Sequence, residues 1–587
     1  MKIRQKLPVL SIFLALILLL SSCSMSPEDQ QQAFDAFIEN DFVTTMESDY
    51  LTNHIYLENP EDYGVDESQI AVSLGSRFSP ESFQETRDNL EALEKEFSKF
   101  DRDSLTPEQQ VTYDIYKAML DLAKTGNQEQ FDYYASYFDS MTGIHTSLPT
   151  LFSDLTLRDE QDVKDVILLM QDVRPYVQSL LDYVKAQEEH GTLMVDTDEV
   201  ISQCEQYTQS GENSPILTSM FEHIDALNLE SSVAQGYKDQ LREAFVTSFL
   251  PAYQDIIDTM EGLDPAKNNT QGLANLEHGK EYYEYLFQDA TGSSHSIEEV
   301  EEMLYDGMER SLNSMVSVYM LDSDTYEAFL NGDYATSFTD YQAMMDFLTQ
   351  AIGEDFPAIG DVEYTLNPLD EELANSGIAA YFNIPAIDGT TPMSIFVNTT
   401  SGQADMQALE TFTTVAHEGI PGHLYMTVYQ NEHLPNAWRK TIPSFLGYSE
   451  GYATYVEMKV LDYLDLDSNA VLLQRANTLF SNCAVALIDI GIHYHGWDLQ
   501  DLEDFAQENG LNVEAMPDIY AQIQSNPTAF LSYYVGYLEF EELYDHALAE
   551  LGNKFDLMAF HEAILSTGSA PFQVVANAVE EYIQSAA

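Results

Sequence analysis

Residues Val415 to Met426 read V-A-H-E-G-I-P-G-H-L-Y-M and contain the two histidines on which the interpretation of this chain depends. The segment begins like the zinc-binding helix motif H-E-x-x-H, whose two histidines lie one turn apart and face one ion. Here the gap between His417 and His423 is six residues. Six residues of regular helix turn the chain by about 600° and advance it by about 9 Å, so the two rings would diverge.

The Pro421-Gly422 pair gives a physical means of bringing the rings back together. Proline has no N–H, and its ring clashes with the carbonyl four residues earlier, which belongs to His417. The helix must kink, bulge or stop there, and Gly422 can take backbone conformations closed to other residues. We therefore expect His423 to lie beside His417, where the two could share a metal ion.

The residues before the motif predict the helix that carries it. Leu409, Phe412 and Ala416 follow the spacing of one helix face, and Asp405 is the predicted N-cap. This places His417 and its neighbour Glu418 near the C-terminal end of that helix.

A zinc site with catalytic function needs a third protein ligand and keeps a fourth position for water. Glu450, 27 residues after His423, is the candidate, in the segment G-Y-S-E-G-Y-A-T-Y-V-E-M-K. Glu457 follows seven residues later and would share its helix face. A carboxylate facing inward among apolar and aromatic neighbours is costly to bury unless it is paired or coordinated. The alternative is ordinary solvation, as for most of the 99 acidic residues.

The charge balance is strongly acidic. The 587 residues include 24 Lys and Arg against 99 Asp and Glu, a net charge of −75, with a globular hydrophobic content of 44%. Such a surface repels nucleic acid and anionic lipid, so we expect no nucleic-acid partner. A solvated acidic coat suited to the environment and a preference for cationic substrates both remain open as explanations.

The N-terminus predicts a secreted, lipid-anchored protein. A basic start with Lys2, Arg4 and Lys6 precedes an apolar run, Leu7 to Leu20, that is shorter than the ~20 residues needed to span a bilayer. The following Leu20-Ser21-Ser22-Cys23 resembles the bacterial lipobox, in which cleavage before the cysteine precedes its lipidation. We expect residues 1–22 to be a signal peptide and residues 23–32 the lipidated Cys23 and its tether. A chance cysteine after an ordinary signal peptide is the alternative.

This reading makes the mature protein extracytoplasmic and bound to the membrane only through the anchor, because no second long apolar run is evident. The other cysteines, Cys204 and Cys483, have no metal-binding spacing and are expected to be buried thiols, with a disulfide between them left open.

Helical periodicity dominates the rest of the chain. Three- and four-residue apolar steps recur in four segments: Phe83–Phe100, Val163–Val184, Val233–Met260 and Ile297–Tyr319. Strand-like alternation is scarce, with Met393–Val397 as the best candidate and Pro368–Asp388 as an irregular run.

We predict a mostly α protein, a large two-lobed helical fold with a minor β element near the active site. The polar stretch Leu263–Gly272 would join an N-terminal helical half, residues 33–270, to a C-terminal catalytic half, residues 271–587.

The blocks H-E-G-I-P-G-H, E-G-Y-A-T-Y-V-E, R-A-N…D-I-G-I-H-Y-H-G-W and L-S-Y-Y-V-G resemble those of a bacterial family, domain of unknown function eight-eight-five. Further matches are G-K-E-Y-Y at 279–283, P-A-I-D-G at 385–389 and F-D-L-M-A-F-H at 555–561. The family contains many lipoproteins and resembles H-E-x-x-H metallopeptidases with a downstream Glu ligand. Tyr452, Asn477 and Tyr534 depart from its usual residues.

The resemblance implies one zinc ion bound by His417, His423 and Glu450, with Glu418 as general base. It also implies an oxyanion donor, for which Tyr533 and His493 are candidates, with the supporting residues His495 and Arg475 behind them.

For this second group a structural role is the alternative. The chain has 36 tyrosines, so packing is the usual role of any one of them, and His493 could be a satisfied core histidine. Asp489, one helical turn before His493, could orient it, pair with Arg475, or form a structural buried pair.

These residues are compatible with three alternative functions. The first is a lipid-anchored zinc metallopeptidase acting on peptides; the second is a metal-dependent amidase acting on small amides at the same site. The third is a catalytically silent lipoprotein that binds peptides or other solutes.

Glu418 favours an enzyme, because hydrolysis by metal-activated water uses a carboxylate beside the ligands and binding does not. The absence of a phosphate-binding glycine loop and of G-x-S-x-G disfavours nucleotide and serine-hydrolase chemistry. The sequence indicates no oligomeric state.

Overall fold

The computed structural model describes residues 26–369, 379–389, 393–398, 405–442 and 445–587. The predicted signal peptide and Cys23 lie outside the described residues. The protein is 72% helical with one small sheet, which confirms the mostly α class. Three of the four segments with helical apolar spacing lie wholly in helices, and the fourth, Phe83–Phe100, is helical as far as Phe97.

The α-helices begin and end as follows. In the first part of the chain they are α1 Pro27–Ser48, α2 Tyr50–Tyr56, α3 Pro80–Phe97, α4 Pro107–Gly126, α5 Ile144–Asp154, α6 Glu160–His190, α7 Thr197–Ser210, α8 Pro215–Ala226, α9 Ser231–Ala244, α10 Leu250–Gly262, α11 Gly279–Thr291, α12 Ile297–Leu321, α13 Ser323–Leu330 and α14 Tyr341–Ala351. They continue as α15 Leu409–Glu418, α16 His423–His433, α17 Ala437–Lys440, α18 Leu446–Val460, α19 Ser468–Ile490, α20 Leu499–Glu508, α21 Met516–Ser525, α22 Leu531–Leu551, α23 Leu557–Thr567 and α24 Phe572–Ala586. Two π-helical turns, Phe245–Phe249 and Gly491–His495, follow α9 and α19.

The sheet has three strands, β1 Tyr364–Pro368, β2 Ala380–Asn383 and β3 Met393–Val397, in the order β1-β3-β2. β3 pairs in parallel with β1 and antiparallel with β2. The strand predicted at Met393–Val397 is confirmed. The expectation of an irregular run over Pro368–Asp388 is wrong for β2, whose four residues A-Y-F-N are too few to show an alternating pattern.

The chain forms two compact units that interleave along the sequence. The first contains the described residues up to Ser104, then 123–282 and 496–527; the second contains 105–122, 283–495 and 528–587. Each unit therefore contains residues from both sides of the predicted division at residue 270. The polar stretch 263–272 is a loop of the first unit, where Asn268 exchanges two hydrogen bonds with the Val195 backbone, at 3.1 and 2.7 Å.

The first unit is organised around α6, a helix of 31 residues whose apolar face is almost fully buried against its neighbours. Asp159 caps the N-terminus of α6 and Gly191 ends it in the left-handed conformation. The buried Cys204 lies in the same core. Cys204 and Cys483 are both buried and free, as predicted.

The second unit depends on a close approach of α18 and α22. Gly451 lies against the backbone of Gly536, so that a Cβ on either residue would overlap the other helix. Gly447, one turn before Gly451, likewise lies against the backbone of Thr291. These contacts fix α18 between α22 and the end of α11, and α18 carries Glu450 and Glu457.

Within the described residues, the stretch Ser468–His495 is long and apolar enough to cross a membrane by length and composition alone, a feature that the sequence interpretation overlooked. Half of its most apolar window is buried inside the protein, and core helices of water-soluble proteins meet the same criterion. α19 packs along α12, with Gly307 close to Cys483. By this packing α19 is a core helix of the second unit.

We expect Gly451→Ala to destabilise the second unit by about 1–3 kcal/mol, because the added methyl group would overlap the Gly536 backbone and force α18 away from α22. The measurement is thermal and urea unfolding followed by circular dichroism.

Gly353→Ala is the matched control in the same unit, since a Cβ there meets no atom within 4 Å. This variant should leave the midpoints of thermal and urea unfolding unchanged or raise them slightly. Equal midpoints for the two variants would contradict the close helix contact.

Candidate metal centre

The motif forms two helices joined by a tight connection. α15 ends at Glu418 and α16 begins at His423, and the Ile420–Pro421 peptide bond between them is cis. The Gly422 N–H donates to the Ala416 carbonyl at 2.9 Å, and the Tyr425 N–H donates to the Gly419 carbonyl at 3.2 Å. The helix therefore stops at the proline, which is one of the outcomes predicted from its missing N–H.

Asp405 is not the N-cap of α15, and that prediction is wrong. The helix begins at Leu409, and the Asp405 side chain instead accepts a hydrogen bond from the Gln407 N–H at 2.9 Å in the preceding turn. The predicted apolar face is confirmed, because Leu409, Phe412 and Ala416 are all buried.

Two glycines make the connection between the helices compact. A Cβ on Gly422 would overlap the carbonyl oxygens of Ala416 and His417, and a Cβ on Gly419 would overlap the Met345 side chain. No other residue type fits at either position without moving the backbone or its neighbours.

The connection brings the two histidine rings together beside Glu450. The ring centroids of His417 and His423 are 4.8 Å apart, with the rings nearly perpendicular. One oxygen, Glu450 Oε2, lies 3.1 Å from His423 Nε2 and 3.5 Å from His417 Nε2. These donor atoms, which come from α15, α16 and α18, all lie within 4.8 Å of one another.

Glu457 supports His417 from the other side of the ring. His417 Nδ1 lies 2.5 Å from Glu457 Oε1, so the Nδ1–H donates to this carboxylate and Nε2 faces Glu450. Burial disfavours the charged imidazolium, but the hydrogen bonds to Glu450 and Glu457 outweigh it and raise the pKa of His417 well above its ordinary value.

Glu418 and Tyr533 border the same cluster. Glu418 is 9% exposed, and among the described residues no group hydrogen-bonds to its carboxylate. The Tyr533 ring lies face to face with His417, 6.1 Å between centroids and 21° between planes. The negative charge of Glu450, then burial, then the charge of Glu418 raise the pKa of Tyr533 well above its ordinary value. Tyr533 is therefore a protonated donor at neutral pH.

His493 and Asp489 lie in a buried network beside Tyr283. Asp489 accepts hydrogen bonds from the Tyr283 hydroxyl at 2.6 Å and from the Thr528 N–H at 2.9 Å. The His493 ring is fully buried and stacks on Tyr283 at 5.7 Å. Thr528 has a positive φ of 65°, and α22 begins three residues later, so Asp489 holds the turn that precedes the Tyr533 helix.

Arg475 and His495 have partners away from the histidine pair. Arg475 donates to the Met458 carbonyl and pairs with Asp462 at 2.7 Å, rather than with Asp489. His495 pairs with Glu301 at 2.7 Å.

A second group of candidate ligands, His295 with Glu539 and Glu542, has the geometry of an ion pair. The two ring nitrogens face different carboxylates, Nδ1 to Glu539 at 3.0 Å and Nε2 to Glu542 at 3.5 Å. The hydrogen bond that His295 donates to Glu539 raises the pKa of this histidine to about 9. His295 thus pairs with two carboxylates of α22 and ties its segment to that helix, and the group contains no second histidine.

The residues that sequence reasoning missed are those that position the site. Gly536 and Thr291 set the place of α18, although neither bears on the chemistry. The small-residue spacing of Gly447 and Gly451 on one helix face was the available signal for a close helix contact.

The donor set of His417, His423 and Glu450 fits a zinc ion. Ligands at 2.0–2.1 Å in a tetrahedral arrangement lie about 3.4 Å from one another, and the separations of 3.1 and 3.5 Å from Glu450 Oε2 bracket that value. A carboxylate on the far nitrogen of a ligand histidine, as Glu457 provides, is the usual support of such sites.

The fold and the site together define a mostly α protein with a His-His-Glu cluster on three helices. The chain belongs to the family described as bacterial protein of unknown function (DUF885), whose model matches residues 63–579. The resemblance seen in the sequence blocks is thereby confirmed.

Two solved structures share the fold. A candidate lipoprotein from Colwellia psychrerythraea is 18% identical and aligns over 95% of this chain and 100% of its own, with a TM-score of 0.80. A candidate lipoprotein of unknown function from Shewanella oneidensis is 14% identical and aligns over 94% of this chain and 99% of its own, with a TM-score of 0.58. None of the curated proteins compared with the chain matches it.

We expect Glu457→Gln to weaken zinc binding by about 10–100-fold, because the amide cannot hold the His417 Nδ1–H as a carboxylate does. The measurement is a competition titration against a chromophoric chelator. Asp462→Asn is the control, since this exposed carboxylate pairs with Arg475 beyond the end of α18. Wild-type affinity in Glu457→Gln would contradict the supporting role.

Proposed function

We propose that the protein is a lipid-anchored, extracytoplasmic zinc-dependent metallopeptidase. The observation that carries this proposal is the convergence of His417 Nε2, His423 Nε2 and Glu450 Oε2, with Glu457 behind His417. In such an arrangement the two rings and the Glu450 carboxylate would hold one zinc ion. A fourth position of a tetrahedral ion would then be left for water or substrate.

The roles of the three carboxylates follow from their partners. Glu450 faces both Nε2 atoms and Glu457 is committed to Nδ1 of His417, whereas Glu418 has no hydrogen-bond donor among the described residues. Glu418 is therefore the carboxylate free to accept a proton, and we assign it as the general base.

Zinc, when bound, lowers the pKa of water towards ~7 and polarises a carbonyl. The Glu418 carboxylate takes a proton from the attacking water and passes it to the leaving nitrogen as the C–N bond breaks. The Tyr533 hydroxyl donates a hydrogen bond to the carbonyl oxygen as that oxygen gains negative charge. Its raised pKa favours this role, because a donor must keep its proton. The contacts of His493 with Tyr283 make it the weaker candidate for this donor.

Hydrolysis of small amides at the same site is the second candidate, since proton transfer by Glu418 serves any amide. A silent binding lipoprotein remains the third. A binding role gives no reason for the Glu418 carboxylate, which lies nearly buried beside the histidines without a hydrogen-bond partner in the described part of the chain. Burial of such a group is costly.

We expect Glu418→Gln to abolish turnover, by at least about 10²–10⁴-fold, while the bound metal is retained, because the amide cannot accept the proton. Purified protein would be tested against a peptide library by mass spectrometry, with metal content measured on the same samples.

Glu410→Gln is the matched control, an acidic residue in the first turn of the same helix, and should leave turnover and metal unchanged. Wild-type protein prepared without chelator should contain about one zinc per chain. Metal-free protein, or full turnover in Glu418→Gln, would contradict the proposal.

The anchor is part of the same proposal. It is supported by the Leu20-Ser21-Ser22-Cys23 sequence and by the description of both structural neighbours as candidate lipoproteins. A membrane-attached location also suits the predicted signal peptide. Stable attachment needs more than one acyl chain, as a lipidated N-terminal cysteine provides.

We expect the N-terminal peptide of membrane-fraction protein to begin at Cys23 and to carry the added mass of acyl chains, measured by mass spectrometry. Cys23→Ala should abolish the modification and leave residues 1–22 uncleaved at this position. An unmodified Cys23 in the wild-type protein would contradict the anchor.

A further inference from the structure

An apolar surface is exposed at the end of α12 and on α13. We call it the apolar corner, and its six residues, with their exposed fractions, are Leu312 51%, Val316 50%, Tyr319 53%, Met320 72%, Leu321 88% and Leu330 65%. Their spacing along α12 of four, three, one and one residues places them on one side of the helix and around its end. Elsewhere in the described residues no large apolar side chain is as much as half exposed. The corner is therefore a concentrated feature, not the usual scatter of single residues.

α12 is apolar on two sides. One side, with Leu304, Met308 and Val318, is buried in the second unit, and the side that carries the corner is not. This holds for residues 311–321, since the N-terminal half of α12 carries acidic side chains. A helical segment that is apolar all round is normally covered all round. The neighbouring α19 adds a further exposed apolar side chain, Leu472, close to this end of α12, where Asn469 hydrogen-bonds to Asp322 at 2.8 Å. Exposed apolar side chains thus lie on three neighbouring helices, with the corner itself on α12 and α13 and Leu472 beside it on α19.

The corner is also a gap in the acidic surface. From Ser311 to Leu321 the chain has no charged residue, in a protein with 99 acidic residues. Arg310, just before this stretch, is paired with Glu541 at 3.0 Å. The charge-free part of the corner is the α12 segment alone, because Asp322, Asp324 and Glu327 follow between Leu321 and Leu330, with Asp324 and Glu327 exposed. An occupant of the α12 segment must still approach a protein whose net charge is −75.

That charge discriminates between occupants. A second copy of this protein would also carry a net charge of −75, so the two copies would repel each other strongly around the contact. An uncharged lipid surface brings no net charge, and apolar side chains at a helix end can enter its headgroup region by about 5–10 Å. Tyr319, packed edge-on against Tyr326 at 5.2 Å, is of the residue type enriched at membrane–water interfaces.

We propose that the apolar corner is a second membrane contact, which inserts Met320 and Leu321 into the interface of a bilayer with zwitterionic headgroups. The proposal rests on the proposed lipid anchor, which would keep the protein at a membrane, and it is independent of the proposed zinc chemistry.

The test uses full-length lipidated protein in phosphatidylcholine vesicles, with an environment-sensitive fluorophore on Met320→Cys. Cys204 and Cys483 are buried, so the introduced thiol is the accessible one among the described residues. We expect emission at shorter wavelength and quenching by brominated phosphatidylcholine, about twofold or more above that of the same probe on Leu168→Cys. Leu168 is 47% exposed on α6 and provides the matched control.

Adding the neutral change Leu321→Gln to the labelled protein should reduce quenching to the control level, without introducing a new charge. Phosphatidylglycerol vesicles should give weaker quenching at low salt, with the difference shrinking as salt screens the charge. Equal quenching at positions 320 and 168 would overturn the proposal. So would a shift at position 320 that depends on protein density and not on brominated lipid, because that result assigns the corner to a second copy. Protein that fails to float with the vesicles would instead mark a failure of the anchor.

Discussion

The site depends on the interruption of one helix between His417 and His423. A continuous helix would hold the two rings on different faces and about 9 Å apart along its axis. Ending α15 at Glu418 and starting α16 at His423 brings the ring centroids to 4.8 Å. The hydrogen bond from the Gly422 N–H to the Ala416 carbonyl closes this connection, and the proline occupies a position where no N–H is needed. The position of both histidines is thus fixed by four residues of backbone.

The second constraint is the placement of α18. Glu450 and Glu457 are two helical turns apart, about 10.5 Å along the axis, yet both reach His417, one at Nε2 and the other at Nδ1. The His417 ring must therefore lie between the two turns and along the α18 surface. Such a fit tolerates little movement of α18, which explains why Gly451 and Gly447 lie directly against neighbouring backbone. The glycines contribute no chemistry, but they set the distances on which it depends.

The sequence was most informative where a single residue has a strong physical effect. Pro421 forced a break, and the apolar spacing of Leu409, Phe412 and Ala416 located α15. It was least informative where the outcome depends on distant neighbours. The Asp405 cap failed because the local turn took its carboxylate, and β2 was missed because four residues are stabilised by pairing with β3. The partners of Asp489 and Arg475 lie far away along the chain or are backbone groups, and no spacing rule reveals them.

The charge balance of the chain gives a further reason to expect a cation at the histidine pair. Three carboxylates, Glu418, Glu450 and Glu457, are gathered at a mostly buried site in a protein with only 24 Lys and Arg. The ion-pair partners found for Glu450 and Glu457 are His417 and His423, which carry charge only when protonated. Buried carboxylates are stable when they are paired, protonated or coordinated. A cation held by Glu450 and the two imidazoles would balance the negative charge gathered here, which agrees with the metal site that we propose.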